Sequence, residues 1–477
     1  MPLALLAEAA GGAVTRCGDA AVTGLAHDSR RVQPGDLFFC VPGAHHDGHD
    51  HAPEALRRGA AGLVVQRSLP LEGPQIQTPS VRRAMGPISS AFHGHPSQSL
   101  TVVGVTGTNG KTTVCRLLGS VLAAAGVRTE VLGTLSGTRT TPESLDLQQR
   151  LAAWRSAGGQ AVAMEVSSHA LHQHRVDGTR FDVAVFTNLS PEHLDYHRTT
   201  EEYFSAKARL FTPSLSDRAV VNRADEHGGR LLAEPGIPTV GFDPRSHRVT
   251  PAPEGTALRW RGHDVALPLR GRFNAANALA AAEAALALGV GVAEVVAGLQ
   301  AAAPVPGRFE VVASDHPFMV VVDYAHTPQG LGEVLAAARE LVTGTGCLRV
   351  VFGCGGNRDT AKRPVMGRVA GRAADQVIVT SDNPRDEDPE AIIADVLAGV
   401  RKGTGTVAAE PDRREAIARC LAEAAAGDVV VVAGKGHETV QVVGDRHLPF
   451  DDRAVIAEIL GTGADGVQER AAEEVAG

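Results

Sequence analysis

The chain has 477 residues, 43% of them hydrophobic and 21% charged, with a formal net charge of −8. That length exceeds one ordinary core and predicts two to four domains, and the acidic balance disfavours a nucleic-acid partner. No apolar run is long enough to span a bilayer, and the six cysteines show no C-x-x-C pairing, which reads as free thiols in a reducing cytoplasm rather than a zinc site or disulfide frame.

The start, Met1-Pro-Leu-Ala-Leu-Leu-Ala-Glu8, lacks a basic segment and is interrupted by Glu8, so it predicts a short helix rather than a signal peptide. Residues 1–98 mix short strands, Asp36–Val41 and Ala61–Gln66, with small helices, and His93–Ser99 reads as a linker. A second block, residues 99–303, opens with the β-type run Leu100–Val103, the turn Gly104-Val-Thr-Gly-Thr-Asn-Gly-Lys-Thr-Thr113 and a helical run from Val114. Strand, Gly-rich turn and helix form the context of a phosphate-binding loop. The glycines let backbone N–H groups approach phosphate oxygens, and the helix N-terminus adds its positive dipole end. Lys111 is placed to reach terminal phosphates and Thr112 to hold Mg²⁺ through its hydroxyl. The loop departs from the common G-x-x-x-x-G-K-[ST] spacing, whose first Gly falls on Val105.

Apolar runs at Gln160–Glu165, Phe181–Thr187 and Arg218–Asn222 predict a parallel sheet covered on both faces. Glu165, a carboxylate at a strand end near the loop, is a candidate second Mg²⁺ partner. His193 follows the next strand, within Thr187–His197. Lys207, among helix formers, reads by spacing alone as a solvated lysine. Asn274–Leu288 predicts a helix and Ala303–Arg308 a second linker. Residues 304–477 again alternate strands with helices, at Met319–Asp323, Leu348–Phe352, Gln376–Thr380 and Asp428–Ala433, which predicts a doubly wound α/β fold. Each of these strands is followed by a polar tip: Asp323–Pro328, Gly353–Asp359, Ser381–Arg385 and Gly434–Glu438. Four tips on one edge of a parallel sheet predict a ligand site. The polar, acidic tail from Gly461 predicts disorder.

Taken in order, Gly107–Thr113, Met164–His169, Phe186–Ser190 with His193–His197, Gly271–Asn277, Asp323–Pro328, Gly353–Asp359, Asp382–Arg385 and Gly434–Glu438 resemble the Mur ligases, over nearly the whole chain. The likeness is to the members that complete the UDP-N-acetylmuramoyl-tripeptide. It implies three domains: a mixed α/β nucleotide-sugar domain (1–98), a P-loop ATPase domain (99–303) and a Rossmann-like amino-acid domain (304–477). It implies a cytoplasmic, monomeric, ATP- and Mg²⁺-dependent amide ligase of peptidoglycan synthesis, acting on small molecules, with no membrane partner. ATP would be held by Gly107, Thr108, Asn109, Gly110, Lys111, Thr112, Thr113, Asn277, Arg308 and Asp323. Lys111, Glu165, His193 and Lys207 would be catalytic, and Thr112, Glu165, His193 and Lys207 would face the metal, the last as a carbamate. Carbamylation needs the neutral amine, present in roughly one molecule in a thousand for an unperturbed lysine near neutral pH, so burial would have to shift that balance.

By the same resemblance, His27, Ser29, Ala44, His45 and His46 would meet the UDP end, the histidine-rich turn differing from that of some relatives. Thr140, Thr141, Ser167, Gln173 and Arg175 would hold the muramoyl-dipeptide. Arg358, Asp382, Asn383, Pro384, Arg385, Gly434 and Glu438 would take the incoming amino acid. Asp-Asn-Pro-Arg marks family members that add meso-diaminopimelate, and Arg385 is suited to clamp its extra carboxylate bidentately. Charge-assisted hydrogen bonds contribute about 1.5–3 kcal/mol each. The alternatives are addition of L-lysine or L-ornithine, a folylpolyglutamate synthetase or other Mur ligase, and a catalytically silent binding protein. Retention of Lys111, Glu165 and Lys207 argues against the last.

Overall fold

The computed structural model describes residues 1–461 apart from 12, 17–20, 44–45, 138, 253, 314–315 and 401–404. The expected disordered tail beyond Gly461 lies outside the described residues. The chain forms two compact units, neither contiguous in sequence. One holds Met1–Leu189, Phe204–Asp243 and Leu279–Gly298; the other holds Ser190–Tyr203, Pro244–Ala278 and Leu299–Gly477.

Among its described residues the first unit contains two sheets. In the N-terminal sheet the strands run Ala13–Arg16, Gln75–Gln77, Gly62–Val65, Asp36–Phe39, Gly24–Ala26, parallel except for the first pair. The second sheet is all parallel, in the order Thr239–Phe242, Ser216–Asn222, Phe181–Phe186, Thr101–Thr106, Ala161–Glu165, Thr129–Leu132. The chain leaves Thr101–Thr106, runs to the edge strand, returns beside it and then crosses to its other side. That strand therefore sits at a topological switch point, where parallel α/β sheets open a crevice at their carboxyl ends. The helix after it, Lys111–Ala124, buries Val114, Leu117, Leu118, Val121 and Leu122, the i, i+3, i+4, i+7, i+8 stripe of a helix laid on a sheet. It begins at Lys111, three residues before the apolar run that announces it.

The second unit carries a six-stranded sheet in the order Glu310–Ala313, Met319–Asp323, Val429–Ala433, Leu348–Phe352, Gln376–Val379, Thr406–Ala409. Only its first pair is antiparallel. Alternate residues of one strand feed different cores. Val429 and Val431 pack with Leu331, Leu335 and Met366, whereas Val430 and Val432 pack with Ala416, Ile417 and Cys420. Helices thus cover both faces, the doubly wound arrangement expected, and the four strands bearing polar tips are adjacent and parallel.

Two antiparallel elements of this unit were not read from the sequence. Val249–Ala252, Gly255–Trp260 and His263–Leu267 form a three-stranded sheet, and Val440–Val443 pairs with Arg446–Pro449. Among the described residues, no helix is long and apolar enough to cross a membrane.

Candidate active site

In the first unit the Gly-rich loop is held by the neighbouring strand's end. Asn188 carbonyl oxygen accepts from Thr108 N–H at 2.9 Å, and its side-chain oxygen accepts from Asn109 N–H at 3.0 Å. Thr187 Oγ1 and Asn188 Nδ2 donate to the Asn109 carbonyl at 2.6 and 3.2 Å. Gly107 has φ +152 and Gly110 φ +87. A Cβ on Gly107 would collide with Thr187 Oγ1, so this tight seating requires glycine.

Lysines 111 and 207 converge on the loop. Lys111 Nζ donates to the carbonyls of Gly107 (2.9 Å) and Thr108 (2.8 Å), and Lys207 Nζ donates to Gly107 at 2.8 Å. Lys207 is 1% exposed, which overturns its reading as a solvated lysine. Thr112 and Glu165 are buried beside them. Glu165 Oε1 accepts from Thr112 Oγ1 at 3.0 Å and from Thr134 N–H at 2.8 Å; Oε2 accepts from Thr134 Oγ1 at 3.2 Å. Thr113 follows, also buried.

The predicted dipeptide residues form one connected cluster in this unit. Thr134 Oγ1 lies 3.1 Å from Thr140 Oγ1. Thr141 Oγ1 donates to the Glu165 carbonyl at 2.9 Å and accepts from Ser167 N–H at 3.0 Å. Arg175 donates to the Thr141 carbonyl (3.2 Å) and to Gln173 Oε1 (2.6 Å). Arg175 also pairs with Glu143 at 3.2 Å, as do Arg82 at 2.8 Å and Arg139. Burial opposes ionisation of Glu143, but Arg175, Arg82 and Arg139 together hold its pKa below the ordinary carboxylate value. Three guanidinium groups on one carboxylate make a cationic wall suited to an acidic substrate.

Ser29, His27 and His46 follow the parallel strands Gly24–Ala26 and Asp36–Phe39. Ser29 is buried and donates to Glu54 Oε2 at 2.8 Å; His46 is exposed. Ala44 and His45 lie outside the described residues.

In the second unit the polar tips meet as predicted. Asp323 is buried and accepts from Phe309 N–H (2.6 Å) and Ala325 N–H (2.7 Å). Burial pushes its pKa up against the opposing pull of Arg308. The Arg308 guanidinium lies 4.4 Å from the Tyr324 ring centre, and Tyr324 in turn packs against His437 with ring centres 5.1 Å apart. Asn277 is buried and donates to Asn274 at 3.1 Å. His193 has φ +57 and lies 3.7 Å from Glu192, whose other oxygen is 2.9 Å from His326 Nε2.

Arg385 also adopts a left-handed backbone, φ +54, and its Nη1 donates to the Gly356 carbonyl at 2.6 Å. Its N–H and carbonyl join the backbone of Val442 (3.1 Å) and Gly444 (2.7 Å). Burial and the nearby cation Arg358 lower the Arg385 pKa from its usual value. Arg385, half-buried beside the exposed Arg358, makes a cationic place suited to an anionic partner. Asp382 is buried, its pKa raised by burial and pulled back by Arg413 and Lys435. Gly434, φ +115, passes so close that a Cβ would meet Asp382 Oδ2 at 2.7 Å. Asn383 Nδ2 donates to Glu438 Oε2 at 2.9 Å, and Pro384 carries the turn between Asn383 and Arg385. Cations, a carboxylate and amides side by side provide partners for both ends of an amino acid.

Thr134, Glu143 and the Asn188 clamp were not among the predicted site residues. Asn188 had a readable signal, standing directly after an apolar strand; Thr134 and Glu143 acquire their roles only through tertiary contacts.

Three domain families match the chain in order. These are the Mur ligase family catalytic domain over residues 21–93, the Mur ligase middle domain over 105–285, and the Mur ligase glutamate ligase domain over 307–436. A UDP-N-acetylmuramoyl-L-alanyl-D-glutamate--2,6-diaminopimelate ligase of Gloeobacter violaceus is 47% identical across 93% of this chain and 94% of its own length. The same-named protein of Geobacillus thermodenitrificans is 44% identical across 94% and 97%. A solved structure of that name superposes with TM-score 0.65 at 33% identity, covering 92% of this chain and 95% of the other. MurF ligase from Thermotoga maritima in complex with ADP, at 20% identity and TM-score 0.64, covers 95% and 100% and shares the fold. Similarity this extensive settles the matter of descent: the chain belongs to the Mur ligase family.

Proposed function

We propose that this protein is an ATP-dependent ligase that joins meso-diaminopimelate to the D-glutamate γ-carboxylate of UDP-N-acetylmuramoyl-L-alanyl-D-glutamate in peptidoglycan synthesis. The observation that carries the reading is Arg385, anchored on Gly356 beside Arg358 and across from the Asn383–Glu438 pair. Diaminopimelate carries one carboxylate more than lysine, and a rigid guanidinium is the side chain best matched to it. The names of the full-length relatives support the same substrate, and an ADP complex of a family member supports ATP as the phosphoryl donor.

Resonance makes a carboxylate a poor electrophile, so amide formation requires activation. The γ-carboxylate takes the terminal phosphoryl group of ATP, giving an acyl phosphate and ADP. The amine of diaminopimelate attacks the acyl carbon, a tetrahedral intermediate forms, and phosphate leaves with the electrons of the C–O bond. The residues of this chain chiefly position the reactants and offset phosphate charge. Gly107–Thr113 present backbone N–H groups, and Lys111 neutralises developing charge. Asn277, Arg308 and Asp323 are assigned to the nucleotide, Thr140, Thr141, Ser167, Gln173 and Arg175 to the dipeptide, and His27, Ser29, Ala44, His45 and His46 to the UDP end.

Thr112 Oγ1 and Glu165 Oε1, buried 3.0 Å apart, are hard oxygen donors of the type Mg²⁺ prefers. Among the described residues no group of three or more His, Cys, Asp or Glu gathers to hold a metal. That fits an ion shared between a few side chains and nucleotide phosphates, as Mg²⁺ commonly is. Thr112 and Glu165 would hold it, with His193 and a carbamylated Lys207 as further ligands, and it would supply charge neutralisation at the phosphates.

The test is phosphate release with purified protein, ATP, Mg²⁺ and the UDP-dipeptide, supplying meso-diaminopimelate, L-lysine and L-ornithine separately. The proposal requires release, and a product of matching mass, with diaminopimelate alone.

A further inference from the structure

Lys435 stands inside the Gly434–Glu438 tip, yet it is 0% exposed, so a bound amino acid cannot reach it. Its ammonium donates to Asn383 Oδ1 at 3.2 Å, Glu438 Oε2 at 3.2 Å and the Val440 carbonyl at 2.7 Å. An ammonium has three N–H bonds, and these three acceptors match them. Asn383 Oδ1 also accepts from Val442 N–H at 3.0 Å. With its oxygen held by two donors, the amide presents Nδ2 to Glu438 Oε2 at 2.9 Å. Glu438 Oε2 therefore receives two N–H groups, while Oε1 takes no part in this network.

We propose that Lys435 is a positioning residue for amino-acid recognition: it fixes the orientation of the Asn383 amide and the rotamer of Glu438, so that the latter presents Oε1 to the substrate's ammonium group. The lysine also ties the Asp382–Arg385 tip to the Val440–Val443 strand, whose backbone bonds Arg385. One buried cation thereby sets both the anionic and the cationic partner of a zwitterionic substrate. This inference rests on the assignment of Asn383, Arg385 and Glu438 to the amino-acid substrate.

Steady-state kinetics of Lys435→Met, Arg385→Ala, Glu438→Gln and the Lys435→Met/Glu438→Gln double variant test it. Lys435→Met raises the KM for diaminopimelate at least about tenfold, while the KM values for ATP and UDP-dipeptide stay within about twofold. The double variant loses less than the two single losses combined, since both act through one network. Lys435→Gln, which keeps a donor for Val440 but loses the charge, is measured alongside and answers the question if Lys435→Met does not fold. An unchanged KM for diaminopimelate in either folded variant overturns the proposal. So does a common rise in all three KM values, the mark of a purely structural role. If Arg385→Ala leaves the KM for diaminopimelate unchanged, the substrate assignment itself fails, an outcome distinct from failure of Lys435 alone.

Discussion

Lys111 Nζ donates to the carbonyls of Gly107 and Thr108, which sets its positive charge on the loop where phosphate charge would accumulate. Removing one such stabilising group costs about a hundred- to a thousandfold in rate. Lys111→Ala is therefore expected to lower phosphate release by about that factor, with the thermal midpoint nearly unchanged; stopped-time phosphate assays and a melting curve check both. Arg385→Ala removes charge-assisted hydrogen bonds of about 1.5–3 kcal/mol each. It should raise the KM for diaminopimelate about tenfold or more and narrow the gap to L-lysine, as a substrate panel reads directly. Residue chemistry of this kind was largely legible in the sequence, because the Gly-rich loop and the four tips are local patterns. Lys207 was legible through the resemblance alone: its spacing fits a solvated helix face, whereas the fold buries it against the loop. Thr134 likewise becomes a Glu165 donor through folding, not through any motif.

At the scale of elements, the loop after Thr101–Thr106 is shaped by the strand beside it. Thr187 and Asn188 make four hydrogen bonds to Thr108 and Asn109 with donor–acceptor distances of 2.6–3.2 Å. Asn188→Ala deletes the two that use its side chain, at about 0.5–1.5 kcal/mol each. The expected result is a KM for ATP raised about tenfold with the KM for diaminopimelate unaltered, measured by varying each substrate in turn. The parallel strands were readable because strands buried on both faces are continuous apolar runs. The small antiparallel sheet was missed for the opposite reason. Its strands alternate, with Leu258, Trp260, Val265 and Leu267 buried and Arg259 and Asp264 outward. The turn Arg261-Gly262, with φ +47 and +85, is a two-residue hairpin signal that period-two patterning would have exposed. The hairpin Val440–Pro449 likewise turns at Gly444, φ +57.

For the molecule as a whole, two compact units mean that unfolding need not be a single transition. His437 gives the second unit a pH signature. Burial, aided by Arg308, lowers its pKa from 6.5 to about 4. The folded state thus keeps the imidazole neutral, while the unfolded chain takes up a proton below pH 6.5. Stability from this group is intact above that pH and falls as pH drops towards about 4, by up to roughly 3 kcal/mol. His437→Gln should flatten this part of the profile, read as a smaller shift in urea midpoint between about pH 7 and pH 5 than the parent shows. Three domains in order and an α/β fold were legible across the chain, since motif order and strand alternation are sequence properties; the grouping of Ser190–Tyr203 with the later residues is a matter of packing and is not. The central claim meets its most direct test in phosphate release from ATP with Mg²⁺, UDP-N-acetylmuramoyl-L-alanyl-D-glutamate and one amino acid at a time. Release with meso-diaminopimelate alone, together with the mass of the tripeptide product, is the predicted result; release with L-lysine or L-ornithine in preference, or with none of the three, would contradict it.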